Sequence, residues 1–253
     1  MERLEPTRLV ALLAHGEHGA VARFLSADQG LTAVYIRGAR GRRLRPVLQI
    51  GNRIALDVAV RADGQLPVAT AHLLTMNMAM MRGAAAMAMV ELVCALAGSL
   101  LPEAVPQPRL FAMADAIMEA ASAGAGAAVL TEALVRLEVA LLAELGIGLD
   151  LDRCAATGSR DDLVYVSPRS RQAVSRAAGA AWAQRLLPLP PFLLGGAGAT
   201  AASLADGLRL TGHFLERDAL AGHKAQPRLL AARGRTAALL LEQLLKGSAE
   251  IRR

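Results

Sequence analysis

Between Arg37 and Arg45 the chain reads RGARGRRLR, so Arg37, Arg40, Arg42, Arg43 and Arg45 place five guanidinium groups within nine residues. Each guanidinium is a planar, permanently charged fork that matches the oxygens of a phosphate and stacks on a base. Gly38 and Gly41 leave the backbone free to turn and approach a ligand closely. Five such groups have no place in a core, and their mutual repulsion is relieved when an anion arrives. The chemistry written here is the binding of a polyanion, with salt-sensitive and nearly sequence-blind affinity.

Other reactive side chains suggest less. His15 and His18 flank a turn beside Glu17, but a turn tip lacks the surrounding groups that orient a metal ligand or a catalytic base. His213, in LTGHFLE, reads as a satisfied structural residue, and His72 and His223 stand apart from it in sequence. Asp150, Asp152, Asp161 and Asp162 bracket Cys154, a pattern that turns and loops use routinely. No G-x-S-x-G elbow occurs. The glycine segment GGAGATAA has neither the lysine of a phosphate-binding loop nor a strand before it, and reads as a linker. These absences argue against a hydrolase, a nuclease or a nucleotide-binding enzyme, so the chain is read as a non-enzyme without a cofactor.

The charge is distributed to suit an anionic partner. Of 28 basic residues only Lys224 and Lys246 are lysines, and the net charge is +6. Residues 1 to 65 carry +4, residues 66 to 150 carry −5 and residues 151 to 253 carry +7. Two basic regions therefore flank an acidic middle, and Arg228, Arg233, Arg235, Lys246, Arg252 and Arg253 offer a weaker extension of the polyanion path. Two cysteines, Cys94 and Cys154, and a start without the layout of a secretory signal fit a cytoplasmic protein. The apolar stretch Leu73 to Leu101 is interrupted by Asn77, Arg82 and Glu91, which excludes a bilayer span. Its methionines (76, 78, 80, 81, 87 and 89) are expected to fill gaps in a core.

With 54% of its residues hydrophobic, the chain can build one large domain or two ordinary ones. Strands are predicted at Thr7 to Ala14, Ala20 to Ser26, Leu31 to Arg37, Arg53 to Val60 and Val68 to Leu73, separated by turns at HGEHG, ADQG and RADGQ. Five short strands in this length suit an OB-fold barrel, although spacing alone does not separate it from an SH3-like barrel. The arginine cluster falls between the third and fourth strands. Helices are predicted from Leu74 to Leu101, Pro108 to Ser122 and Val129 to Leu145, the last with Leu134, Leu137, Leu141 and Leu145 on one face. Residues 146 to 176 form a loop or hairpin insert with one convincing strand, LVYVS. Shorter helices follow around Ala178 to Leu187 and from Pro190, then Leu204 to Leu215 and Leu229 to Leu245. The fold class is α+β in two domains: residues 1–75 as the OB-fold nucleic-acid-binding domain and 76–253 as a helical domain, with an insert at about 150–177.

Five segments, in order and spread over nearly the whole chain, carry a family resemblance: HGEHGAVARFLSADQGLTAVYIRGARGRRLRPVLQIGN, RLEVALLAELGIGLDLDRCAATG, DDLVYVSPRSRQAVSR, LLPLPPFL and LRLTGHFLER. Together they resemble RecO, the bacterial recombination-mediator family. The resemblance implies an N-terminal OB-fold, a helical domain and a role in DNA repair and homologous recombination at the nucleoid. It implies binding of single- and double-stranded DNA, strand annealing, docking on the C-terminal tail of single-strand-binding protein, and cooperation with RecR so that RecA, indirectly, is loaded. The alternative is a protein-interaction adaptor with incidental DNA affinity.

Two features bear on these implications. Some members of the family hold zinc with four cysteines in the insert, whereas here Cys154 stands alone with Thr157 where a partner would fall, so no metal is expected. An acidic tail ending in an apolar residue calls for a hydrophobic socket rimmed by a cation. Arg136 is the candidate rim residue by analogy of position, and it is equally placed to pair with Glu132 or Glu138 on its own helix.

Overall fold

In the second to fifth strands of the chain, the residues that converge on one core axis recur with period two. Ala20, Ala22 and Phe24 of β2 (Gly19–Ser26) meet Val34 and Ile36 of β3 (Gly30–Ile36). Ile54, Leu56 and Val58 of β4 (Arg53–Ala59) and Ala69 and Ala71 of β5 (Val68–Thr75) complete the core with Leu4 and Leu9 of β1 (Glu2–His15). The computed structural model describes residues 2–59, 65–196 and 198–250, the last three as backbone. Val60, at the end of the fourth predicted strand, and most of the RADGQ turn lie outside the described residues.

The strand order is β1-β2-β3-β5-β4, closed by β1 against β4. All neighbours are antiparallel except β3 and β5, which run parallel through Tyr35–Val68 and Ile36–Ala69. That single parallel pair forces the connection from β3 to β4 to cross the end of the barrel, and the result is the OB-like barrel left open by strand spacing. β1 serves two partners because its register shifts between Leu4 and Thr7 and again between Leu9 and Ala11, bending it from β4 toward β2.

Two compact units divide the chain, Met1–Ala125 and Gly126–Arg253. In the first, α1 (Ala84–Leu100) and α2 (Pro108–Ala123) accompany the barrel. Arg8, 2% exposed, donates from Nε to Asp115 of α2 at 2.6 Å, pairs with Glu119, and gives Nη1 to the Gly51 carbonyl at 2.8 Å. The predicted helix from Leu74 starts ten residues late. Asn77 receives Ser122 Oγ, its own backbone N–H donates to Asn52 Oδ1 at 2.8 Å, and its Nδ2 reaches the Ile50 carbonyl. These bonds hold the segment off a helical path until a short 3₁₀ turn at Ala79–Arg82 and Gly83, whose φ of 110° α1 cannot include. Met76, Met78, Met80 and Met81 are consequently exposed, contrary to the expected core stripe, while Met89 is buried.

The second unit packs α3 (Ala127–Glu144), α5 (Ala201–Phe214) and α6 (Gln226–Glu250), with Leu134, Leu137 and Leu141 buried on α3. The insert is a three-stranded sheet ordered β7-β6-β8, from β6 (Leu163–Val166), β7 (Ala173–Ser175) and β8 (Leu187–Pro188). Between β7 and β8 come the single turn α4 (Arg176–Gly179) and a 3₁₀ turn at Ala180–Arg185. A further 3₁₀ turn at Pro191–Leu194 leads toward α5, which Thr200 and Ser203 cap reciprocally. Among the described residues no helix is long and apolar enough to cross a membrane.

Candidate nucleic-acid interface

The β3–β4 connection is a tight structure with two faces. Ala39 and Leu48 enter the barrel core, and Leu44, Val47 and Ile50 pack against it half-buried. The backbone turns through bonds from Arg45 N–H to the Gly41 carbonyl (3.1 Å) and from Leu48 N–H to the Leu44 carbonyl (2.8 Å). Asn52, fully buried, donates Nδ2 to the carbonyls of Pro46 and Val47, fixing the far end. Gly38 turns the chain out of β3 at a φ of 64°, where a side chain would be strained.

Because the apolar residues take the inner face, Arg37, Arg40, Arg42, Arg43 and Arg45 are all exposed. On the barrel strands Arg3, Arg8, Arg23 and Arg53 each pair with a carboxylate, while Arg82, beyond the barrel, donates to the Ser122 carbonyl. Among the described residues none of the five loop arginines pairs with a carboxylate; Arg40 alone has a side-chain bond, from Nη1 to the Glu17 carbonyl at 3.3 Å. The Arg40 N–H meets the His18 carbonyl at 3.4 Å, so the cluster lies beside the β1–β2 turn. A pinned backbone carrying unneutralised guanidinium groups is preorganised for phosphate, with part of the ordering entropy already spent in folding.

The barrel's aromatic residues divide differently. Phe24 is 1% exposed and belongs to the core, leaving Tyr35 half-buried and packed edge-on to His15 at 5.8 Å. His15, Tyr35, Gln65, Leu66 and Val68 line an open concavity of about 430 Å³. Sequence reasoning did not group these residues, because the parallel β3–β5 pairing that brings Val68 beside Tyr35 leaves no local signature.

A family model described as "Recombination protein O C terminal" matches residues 82–227. The chain is 44% identical over 224 residues to the DNA repair protein RecO of Bradyrhizobium sp. (strain ORS 278), covering 87% of this chain and 89% of the relative. It belongs to the RecO family. The DNA repair protein RecO of Jannaschia sp. (strain CCS1) is 40% identical across 94% of this chain and 96% of the relative, and that of Caulobacter vibrioides (strain NA1000 / CB15N) is 38% identical across 86% and 89%. The resemblance drawn from sequence segments is thus a matter of family membership.

In the helical unit of this RecO-family chain the remaining candidates separate. Arg136 pairs with Glu132 one turn away (2.7 Å) and donates to the Phe192 carbonyl at 2.8 Å, its guanidinium 5.6 Å from the Phe192 ring. It does not pair with Glu138. That carboxylate is fully buried and held by Arg233, whose Nε and Nη2 reach it at 2.7 and 2.9 Å, with Thr211 Oγ1 as a further donor. Burial acts to lower the Arg233 pKa, yet the Glu138 charge and hydrogen bonds win and raise it. Arg233 is therefore withdrawn from the extended polyanion path. Lys246 is tied to Glu242 at 2.6 Å, and Arg252 and Arg253 lie outside the described residues.

Both thiols are buried. Burial pushes Cys94 up to about 12, which keeps it protonated. Cys154, 2% exposed, accepts the Ser175 N–H at 3.3 Å; burial pushes its thiol upward, but hydrogen bonds from Ser175 and Thr157 outweigh this and hold it at about 6. Among the described residues no group of three or more His, Cys, Asp or Glu is placed to hold a metal ion. His213, expected to be satisfied, has its Nε2 buried without a hydrogen-bond partner among the described residues, and its ring meets Phe214 edge-on.

Proposed function

We propose that this chain is a DNA repair and recombination mediator that binds DNA and does no bond-making chemistry of its own. Its OB-fold domain, residues 1–75, takes single- and double-stranded DNA through Arg37, Arg40, Arg42, Arg43 and Arg45. The helical remainder, residues 76–253, receives the acidic tail of single-strand-binding protein beside Arg136. Strand annealing, cooperation with RecR and the loading of RecA onto coated single strands follow from that combination, in the cytoplasm at the nucleoid. The observation that carries the reading is the contrast, among the described residues, between the five loop arginines without a carboxylate partner and the carboxylate-paired Arg3, Arg8, Arg23 and Arg53 of the barrel. Family membership and the relatives' names support the repair role.

The test is the salt dependence of DNA affinity. Each lost phosphate contact flattens the slope of log affinity against log salt by about 0.7 on a single strand and about 0.9 on duplex. Replacing Arg40, Arg42 and Arg43 together by Ala is expected to flatten the single-strand slope by about 2. An unchanged slope removes the loop as the DNA site.

A second reading, a protein-interaction adaptor with incidental DNA affinity, draws on a different observation. Leu73, Leu74, Met76, Met78, Met80 and Met81 put six large apolar side chains on the surface within nine residues. It predicts partner binding that persists at salt concentrations where DNA no longer binds.

A further inference from the structure

The loop explains phosphate contact but carries no aromatic residue, and of the barrel's aromatic rings Phe24 is buried and Tyr35 is half-buried edge-on against His15. The chain's single tryptophan lies elsewhere. Trp182 sits in the 3₁₀ turn Ala180–Arg185 of the helical unit and is 57% exposed, an unusual position for the largest apolar side chain. The Arg185 guanidinium lies 5.5 Å from the indole centroid and is itself exposed. No residue of this turn is buried, and its six residues, Ala180, Ala181, Trp182, Ala183, Gln184 and Arg185, line an open concavity of about 420 Å³.

The turn is braced from beneath. Gly179 lets it approach the insert sheet closely: a Cβ there would stand 2.6 Å from the Tyr165 ring and 2.9 Å from Leu186. Immediately after the turn, Leu187 is stitched to Val166 in the sheet. Trp182 is thereby held out on a fixed base. From Arg176 to Ala205 the chain contains no acidic residue, so nothing in the platform's own segment repels a phosphate.

We propose that Trp182 and Arg185 form a second contact for single-stranded nucleic acid, in which an unpaired base stacks on the indole and the guanidinium holds an adjacent phosphate. This rests on the reading of the chain as a DNA-binding protein. An exposed indole beside an arginine combines the two elements that sequence-tolerant single-strand sites use, a π surface and a cation. A duplex keeps its bases stacked inside and gains nothing from the indole, so the site favours single strands.

Because Trp182 is the only tryptophan, emission excited at wavelengths that tyrosine does not absorb reports this site alone. A dye-labelled oligo(dT) is titrated with the protein while dye anisotropy and indole emission are recorded, and an abasic oligonucleotide of equal length supplies the phosphates without the bases. Emission is expected to be quenched by oligo(dT) and little changed by the abasic strand. Trp182→Ala should weaken oligo(dT) affinity about tenfold while leaving duplex affinity unchanged, and Trp182→Phe should retain most of the single-strand affinity. Anisotropy reporting full binding with unchanged emission overturns the stacking site and leaves the loop reading standing. Equal quenching by the abasic strand likewise overturns it. Absence of any anisotropy change instead removes the DNA-binding reading on which the site rests.

Discussion

Arg233 offers a sharp test of how the structure divides its arginines between architecture and ligand binding. Arg233→Ala removes the fork that holds Glu138, a carboxylate with no solvent exposure, while Arg233 itself is 12% exposed. Deleting one partner of a buried pair strands the other charge, which costs about 3 to 5 kcal/mol. Thr211 Oγ1 remains as a donor to Glu138 and offsets part of this, so the lower end, about 3 kcal/mol, is expected. Against a total stability of about 5 to 15 kcal/mol this is a large fraction. Urea unfolding followed by far-ultraviolet circular dichroism measures it. Glu138→Leu combined with Arg233→Leu removes both charges and should recover to within about 1 kcal/mol of the parent. The folded fraction of Arg233→Ala should keep the parental salt slope for DNA, since this guanidinium faces a carboxylate and not a ligand. The reasoning fails if Arg233→Ala unfolds within about 1 kcal/mol of the parent and flattens the slope by about 1.

Two further outcomes follow from the second unit. Arg136→Ala should weaken binding of a peptide copying the acidic tail of single-strand-binding protein by about tenfold, the loss of one charge-assisted hydrogen bond; equal affinity by fluorescence anisotropy removes Arg136 from that socket. Asp218 is held below the usual carboxylate range by hydrogen bonding to Arg217 and then by Arg171 at 3.3 Å, against the upward push of its partial burial. A depressed carboxylate contributes stability fully above its unfolded pKa and loses it as pH falls through the folded value. Asp218→Asn should therefore be less stable than the parent at neutral pH, with the gap closing below about pH 4, whereas a constant gap in urea unfolding from neutral to acid pH contradicts the pairing.

The sequence by itself determined what depends on neighbours along the chain. Apolar and β-branched runs between turn signals located the five barrel strands, the first of them read as starting five residues later than it does, because turn residues act locally. The exposure of Arg37 to Arg45 was legible from composition, since charge of that density stays in water. Apolar periodicity placed α3 and its buried Leu134, Leu137 and Leu141, while Leu145, expected on the same face, caps the helix end half-buried. What the tertiary structure decided depends on partners far away in sequence. The parallel β3–β5 pair selected the barrel topology, and no local pattern encodes which strands become neighbours. Asn77 delayed α1 through contacts with Ile50, Asn52 and Ser122, overriding a helical pattern that continued through it. Glu138 pairs with Arg233, 95 residues on, and not with Arg136, which two residues back on the same helix points to another side. A buried carboxylate needs a partner that can follow it out of water, and on this helix Arg136 remains at the solvent edge beside Glu132. The availability of an arginine for a ligand is thus set by which carboxylates the fold brings within reach, and the unpaired loop between β3 and β4 could be told from the paired arginines around it only once that packing was in place.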